Sequence, residues 1–380
     1  MTIQENIALA PLTTLQVGGA ARYFAELKRE DDVSEALQFA KTRNLPLFVL
    51  GGGSNLVIAD SGWPGLVLKI SIGGIATPQP KEAGGNAVLF SVGAGVNWDD
   101  FVAHAVSQNC AGIECLSGIP GSVGATPVQN VGAYGQEVAD TIESVRTFDL
   151  QAPDSHDKRT DVVPKVLPKP ACGFRYRSSI FNSSERGRYI ILRVNYRLKR
   201  GGAPNLKYAD LQKHFAQRLQ ATAPAGEKMM PSLAETRDAV RAIRRSKGMM
   251  IIPEDRDSPD HDFRSAGSFF KNPVLSDEQL KDLAARAAAQ GLEIPTYPAP
   301  RSQNQNAHHK VSAAWLVEHS GFSKGYAMGA AGISHKHALA IINRGNAKAS
   351  EIVALKDEIQ RGVQKAWGIL LEPEPIFVGF

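Results

Sequence analysis

The chain has 380 residues, 43% of them hydrophobic and 21% charged, more than a single hydrophobic core usually serves and inconsistent with a disulfide-stapled miniature, a disordered tail or a collagen-like repeat. Its 43 basic against 38 acidic residues leave a formal net charge of +5, which suits an anionic small molecule but is thin for nucleic acid, and no base-reading motif accompanies it. Cys110, Cys115 and Cys172 form no CxxC pair, residues 1–11 hold no basic-then-apolar leader, and no run of about 18 apolar residues occurs, so a cytoplasmic chain that does not enter a membrane is predicted.

Asp32 and Glu35 have capping-box spacing and open a predicted helix over 33–42, with Val33, Leu37 and Ala40 on one face. Residues 47–50 read as a strand running into Gly51-Gly52-Gly53-Ser54-Asn55, where bare backbone N–H groups either close on a phosphate or simply make a tight turn. Further strands are predicted at 67–72 and 87–92, and a helix at 98–108. Between residues 150 and 170 the chain turns polar, with Pro153, Pro164, Pro168 and Pro170, a surface excursion without chemistry. From Pro231 long helices dominate, opened by capping boxes at Ser232 with Glu235 and Ser276 with Gln279, so a separate lobe is expected from about residue 225. The last helix has Ser350 as its expected N-cap, a stripe of Ile352, Leu355, Ile359, Val363 and Trp367, and Gly368 at its end. The pattern as a whole is α+β.

Neither Gly51-Gly52-Gly53-Ser54-Asn55-Leu56 nor Gly93-Ala94-Gly95-Val96-Asn97-Trp98 completes a Rossmann fingerprint, and no P-loop is present. The richest stretch is 115–135, where Gly118, Gly121 and Gly124 recur every third residue among small polar side chains. Such a segment lets a flat ligand approach the main chain, and Leu116, Ile119, Val123, Val128 and Val131 are too apolar for a surface linker. His335 and His337, expected to share a strand face, and the pair His308-His309 lack the spaced carboxylates or cysteines of a metal site, so no metal is expected. Cys110 and Cys115 read as small buried residues without neighbours that would make a thiolate.

The blocks Gly51-Gly-Gly-Ser-Asn55 and Ser117-Gly-Ile-Pro-Gly-Ser-Val-Gly-Ala-Thr-Pro-Val-Gln-Asn-Val-Gly-Ala-Tyr134 resemble the FAD-binding part of the UDP-N-acetylenolpyruvoylglucosamine reductases. The resemblance continues in order through residues 176–181, 208–211, 267–273, 314–318 and 371–375. It implies two FAD-binding lobes of the vanillyl-alcohol-oxidase type, residues 1–70 and 71–225, and a C-terminal α+β substrate-binding lobe, residues 226–380. It implies FAD contacts from Gly51, Gly52, Gly53, Ser54, Asn55, Leu56, Ser117, Gly118, Ile119, Gly121, Ser122, Gly124, Ala125, Gln129, Asn130, Gly132, Ala133 and Tyr134. The implied reaction has NADPH reduce FAD and leave, after which hydride passes to the enolpyruvyl double bond of the uridine diphosphate sugar and UDP-N-acetylmuramate forms, serving peptidoglycan precursor synthesis.

Hydride delivered to the vinyl carbon leaves negative charge beside the carboxylate, and Arg177 matches the family arginine whose planar guanidinium can hold that carboxylate. Ser268 matches the proton donor. Glu374, stiffened between Pro373 and Pro375, matches a glutamate that would donate a hydrogen bond to the enolate if apolar neighbours Ile376 and Val378 kept it protonated. Tyr208, Arg244, Lys247 and Asn272 are the expected substrate anchors; Tyr208 marks the subgroup with a mobile loop, and Arg244 belongs to a basic helical stripe with Arg237 and Arg241. Residues 151–169 and 249–264 are longer than in compact members. A monomer is expected. The competing readings are an alcohol or sugar oxidase of the same flavin-binding fold, which leaves Ser268 and Glu374 idle, and a catalytically silent nucleotide-binding scaffold.

Overall fold

A computed structural model describes residues 1–77, 85–151, 164–222, 230–251, 260–298 and 309–380. The expected lobe boundary at 225, Pro153 and His308 lie outside the described residues. The chain forms two compact units, one made of Met1–Asn6, Arg22–Gly52 and Pro64–Ser246, the other of Ile7–Ala21, Gly53–Trp63 and Lys247–Phe380.

The first unit is organised by the long strand Tyr189–Arg200. Its side chains alternate, with Ile190, Leu192, Val194, Tyr196 and Leu198 each no more than 2% exposed, so one pleat face is apolar but for the Tyr196 hydroxyl. Ile142–Asp149 pairs antiparallel on one side of it and Ala87–Gly93 on the other, and Lys165–Pro168 and Ile75–Ala76 edge this sheet. Helix α1 (Asp32–Thr42) and helix α2 (Trp98–Ser107) cover apolar faces of the unit's core, and Leu47–Leu50 runs parallel to Trp63–Ile70. Helix α3 (Ala209–Thr222) and helix α4 (Leu233–Ser246) form a satellite cluster in which Leu211, Ala239 and Val240 meet Cys115 and Tyr134. Helix α4 thus counts with this unit.

The second unit is built around helix α7 (Ala349–Trp367), whose stripe of Ile352, Leu355, Ile359, Val363 and Trp367 is at most 1% exposed. Helix α5 (Asp277–Ala288), helix α6 (Ala313–Glu318) and two small three-stranded sheets surround it, and Ile376–Val378 pairs parallel with Leu56–Ile58. Gly368 ends α7 with φ +73°, the left-handed stop that its position predicts.

Strands at 47–50 and 87–93, helix α2 and the capping boxes at Ser232 and Ser276 are present as the pattern predicts. Two capping expectations are corrected. Asp32 lies inside α1 and its carboxylate accepts the N–H groups of Lys28 and Arg29, both at 2.8 Å, so it secures the turn before the helix. Helix α7 begins at Ala349, and its first N–H groups are taken by the carboxylate of Asp60, 2.7 Å from Ala349 N and 3.1 Å from Ser350 N. The strand ascribed to His335 and His337 is also absent. Both follow the short strand Ala331–Ile333 in a turn where Ser334 Oγ accepts from the N–H groups of Lys336 and His337. No cluster of metal-ligand type occurs among the described residues.

Candidate active site

Residues 114–135 hold only two short 3-10 turns, Glu114–Leu116 and Val123–Ala125, and the two-residue strand Gly132–Ala133, and are pinned from several sides. Glu114, fully buried, accepts from Gln136 Nε2 and Asn205 N, each at 2.9 Å, and from Gly112 N at 2.7 Å. A buried carboxylate is tolerable when its lone pairs are filled in this way. Trp98 Nε1 donates to Leu116 O at 2.9 Å, and the N–H groups of Val123 and Gly124 donate to Val96 O and Ala94 O at 2.9 and 2.8 Å. At the base of the core Tyr196 shares a hydrogen bond with Thr126 Oγ1 at 2.7 Å, so the one hydroxyl in that apolar stripe is satisfied; burial pushes its phenol above the usual range. Sequence reading missed Glu114 and Tyr196 as loop anchors. A carboxylate just ahead of a glycine-rich run and a tyrosine in an apolar alternation are the available signals.

Two features of this loop stand out, its close main-chain packing and one hydroxyl unpaired among the described residues. A Cβ on Gly52 would lie 2.4 Å from Gly121 Cα and one on Gly124 would lie 2.5 Å from Ala94 Cβ, so main chains here pass at distances only glycine permits. The Ser122 hydroxyl is buried with no hydrogen-bond partner among the described residues, a donor available to an anionic group. Lys69 Nζ donates to the Gly51 carbonyl, bringing a cation to the first glycine run; nothing in its strand pattern signals this. Of the expected FAD residues, Ser117, Asn130 and Asn55 use their side chains within the protein. Ser117 Oγ donates to Glu114 O at 2.6 Å, and Asn130 Nδ2 to Glu137 Oε2 at 2.7 Å and Arg175 O at 3.1 Å. Gly51 and Gly52 fall in the first unit, whereas Gly53, Ser54, Asn55 and Leu56 fall in the second.

Arg177 is placed against the same loop. Arg175 and Ser178 exchange backbone hydrogen bonds at 2.8 and 3.1 Å, making Tyr176 and Arg177 the tip of a tight turn, and Arg177 has φ +52°. Its Nη1 donates to Gly132 O at 3.0 Å and its guanidinium stands 5.6 Å from the Tyr176 ring centre. On α4, Arg237 and Arg244 are only 9% and 6% exposed, so this part of the stripe faces inward. Burial pulls the Arg244 guanidinium down from its ordinary value, partly countered by Tyr134 and Asp99, and its Nε donates to Gly118 O at 3.0 Å. Tyr208 contacts Tyr134 edge to face, ring centres 5.2 Å apart.

In the second unit two distant blocks pair. Phe270 and Pro373 form an antiparallel bridge, with Glu374 N donating to Phe269 O at 2.8 Å and Lys271 N to Glu372 O at 2.9 Å. Pro373 therefore sits at the position of the ladder that needs no N–H, and its neighbours make the bonds. Ser268, next to Phe269, and Glu374 are carried on adjacent chains, both half-buried. Asn55 Nδ2 donates to Glu374 O at 3.2 Å. Asn272 Oδ1 accepts from Ala313 N at 2.9 Å, a structural task at the start of α6. The three cysteines are buried thiols; burial raises Cys110, raises Cys115 further with help from Glu114, and pushes Cys172 up to about 11.

Residues 21–152 match the family described as FAD binding domain, and residues 258–378 match that described as UDP-N-acetylenolpyruvoylglucosamine reductase, C-terminal domain. The class is thus that of α+β proteins joining an FAD-binding domain to this C-terminal domain. The UDP-N-acetylenolpyruvoylglucosamine reductase of Thermobifida fusca (strain YX) is 40% identical over 379 residues, covering 99% of this chain and 98% of its own. That of Streptomyces coelicolor is 39% identical over 384 residues, covering 99% and 91%. The crystal structure of the Thermus caldophilus reductase, at 24% identity, matches over 99% of this chain and all of its own with a TM-score of 0.60, which shows the shared fold. The chain belongs to the UDP-N-acetylenolpyruvoylglucosamine reductase family.

Proposed function

We propose that this chain reduces the enolpyruvyl group of UDP-N-acetylenolpyruvoylglucosamine to give UDP-N-acetylmuramate, with FAD as cofactor and NADPH as reductant, in peptidoglycan precursor synthesis. The observation that carries the reading is the pairing of residues 269–271 with 372–374, which brings the segment just after Ser268 beside that of Glu374 although about a hundred residues separate them. When bound, the flavin supplies the hydride. Arg177 holds the substrate carboxylate, where the developing charge collects. Ser268 gives its proton to the carbon next to that carboxylate and is reprotonated from solvent, while Glu374 donates a hydrogen bond to the enolate oxygen. The FAD residues are those of 51–56 and the 117–134 run named above, among which the Ser122 hydroxyl and the glycine backbone suit a diphosphate. Tyr208, Arg244, Lys247 and Asn272 are the proposed substrate anchors, Tyr208 placing the chain in the mobile-loop subgroup.

A monomer resident in the cytoplasm, without nucleic-acid or membrane partners, fits this role, and among the described residues no helix is long and apolar enough to cross a membrane. Lobe limits at residues 70 and 225 belong to the same proposal. An alcohol or sugar oxidase is disfavoured by relatives bearing the reductase name at 40% identity over nearly the full chain, and it gives Ser268 and Glu374 no task.

Anaerobic stopped-flow absorbance tests the assignment. NADPH should bleach the flavin and the sugar nucleotide should restore its colour; flavin that stays reduced overturns it. Ser268→Ala should leave the first step intact and slow the second about 100-fold or more, whereas equal loss in both steps removes serine from the proton-donor role.

A further inference from the structure

The glycine loop is held by an ion pair that the reduction itself does not require. Asp99 is the second residue of α2, and that helix is already capped by Asn97 Oδ1, which accepts from Asp100 N at 3.2 Å. Asp99 Oδ1 instead accepts from Gly118 N at 2.6 Å and from Arg237 Nη1 at 2.5 Å, and Oδ2 accepts from Arg237 Nη2 at 2.8 Å; Arg241 Nε is 4.0 Å from Oδ2. On the other side of the same residue, Gly118 O accepts from Arg244 Nε at 3.0 Å. Both peptide groups flanking the Gly118 Cα are therefore held. Gly118 has φ +68°, and a glycine in the left-handed region is where the chain would otherwise rotate most freely.

Stability alone is a weak reason for this arrangement, because the pair is partly buried and an ion pair withdrawn from water is commonly matched or bettered by apolar residues of similar volume. Burial pushes the Asp99 carboxyl up, but the hydrogen bonds from Arg237 and Gly118 and the charges of Arg237 and Arg241 outweigh it and hold it below its ordinary value, so the acceptor stays ionised. What an apolar pair cannot supply is the acceptor for the Gly118 N–H. We propose that Asp99 is a positioning residue for the cofactor loop: balanced by Arg237, it fixes Gly118 between Ser117 and Ile119 in the form that receives the flavin dinucleotide. This rests on the flavin-binding reading above.

Three double variants of the full chain separate positioning from mere stability, read by thermal melting of the flavin-stripped protein and by fluorescence titration with FAD. Asp99→Asn with Arg237→Gln removes both charges but keeps an amide oxygen for Gly118; it should melt like the parent and bind FAD within about threefold of it. Asp99→Leu with Arg237→Met leaves the Gly118 N–H without an acceptor and should melt within a few degrees of the parent, yet bind FAD about tenfold or more weakly, the loss expected for a charge-assisted hydrogen bond. Asp99→Ser with Arg237→Gln, whose serine is too short to reach Gly118, should behave like the apolar pair and stands in for it if that pair does not fold. Equal FAD affinity in variants with and without the acceptor overturns the proposal while the flavin reading survives. Failure of the parent protein itself to bind FAD sinks both.

Discussion

Arg177 occupies a conformation that its residue type disfavours. At φ +52° in the turn between Arg175 and Ser178, any side chain with a Cβ costs about 1 kcal/mol or more relative to glycine. The protein retains an arginine there, and Nη1 recovers part of the cost through Gly132 O at 3.0 Å. Strain kept at a residue with a functional reason to exist is a recurring property of active sites. The expected consequence is an inversion of the usual order of substitutions. Arg177→Gly and Arg177→Ala both lose the guanidinium and should both turn over about 100-fold more slowly. In urea denaturation of the flavin-free protein, however, the glycine variant should be the more stable of the two by about 1 kcal/mol. An alanine variant as stable as the glycine variant would show that the turn carries no strain. Nothing in Tyr-Arg-Ser announces this geometry, since arginine is an ordinary residue for an extended segment and only the backbone bonds around it force the left-handed turn.

The elements divide by whether their cause is local. The strand at 47–50, helix α2 and the stripe of α7 were legible because alternation, a helical repeat and Gly368 lie within the element itself. The start of α7 was not, because its cap comes from Asp60, 289 residues away from Ala349 in the chain. A short polar residue near a predicted helix start invites assignment as the cap, and Ser350 drew it, but two N–H groups satisfied by one carboxylate outcompete a serine hydroxyl. Burial pushes the Asp60 carboxyl up, yet the hydrogen bonds from Ala349 and Ser350 outweigh it and hold the group below its ordinary value. A carboxyl with a lower pKa folded than unfolded stabilises the fold above the unfolded value, and that contribution fades as pH falls through the folded value. Asp60→Ala should therefore cost about 1 kcal/mol at neutral pH, a typical capping loss. The gap between parent and variant in urea midpoint should narrow as pH drops from about 7 towards about 3. A gap of constant size across that range would assign the loss to packing, not to the charge at the helix start.

Across the molecule, the proposed site residues come from motif order, whereas the contacts that support them have no counterpart in any local pattern. Motif order singled out Arg177, Ser268 and Glu374, but the Gly132 contact, the Gly118 clamp and the Phe270–Pro373 bridge depend on partners far apart in sequence. The unit boundaries give this a functional form: Arg177 and the 117–134 run belong to the first unit, Ser268 and Glu374 to the second. Because Ser268 and Glu374 are proposed to act on the sugar nucleotide and are not among the expected flavin residues, changes at them should spare flavin colour and reduction by NADPH, and appear only when the sugar nucleotide is reduced. Glu374 offers the sharper case, because its backbone is fixed by Phe269 O and by Asn55, so a substitution there alters chemistry with little movement of the chain. If the carboxyl acts neutral, as a hydrogen-bond donor to the enolate, an amide can replace it in part and a methyl group cannot. Glu374→Ala should slow flavin reoxidation by about 100-fold or more, and Glu374→Gln should recover about tenfold of that loss. A glutamine variant no faster than the alanine variant would mean that the group must give up a proton or carry a charge, and the donor role would then have to be withdrawn.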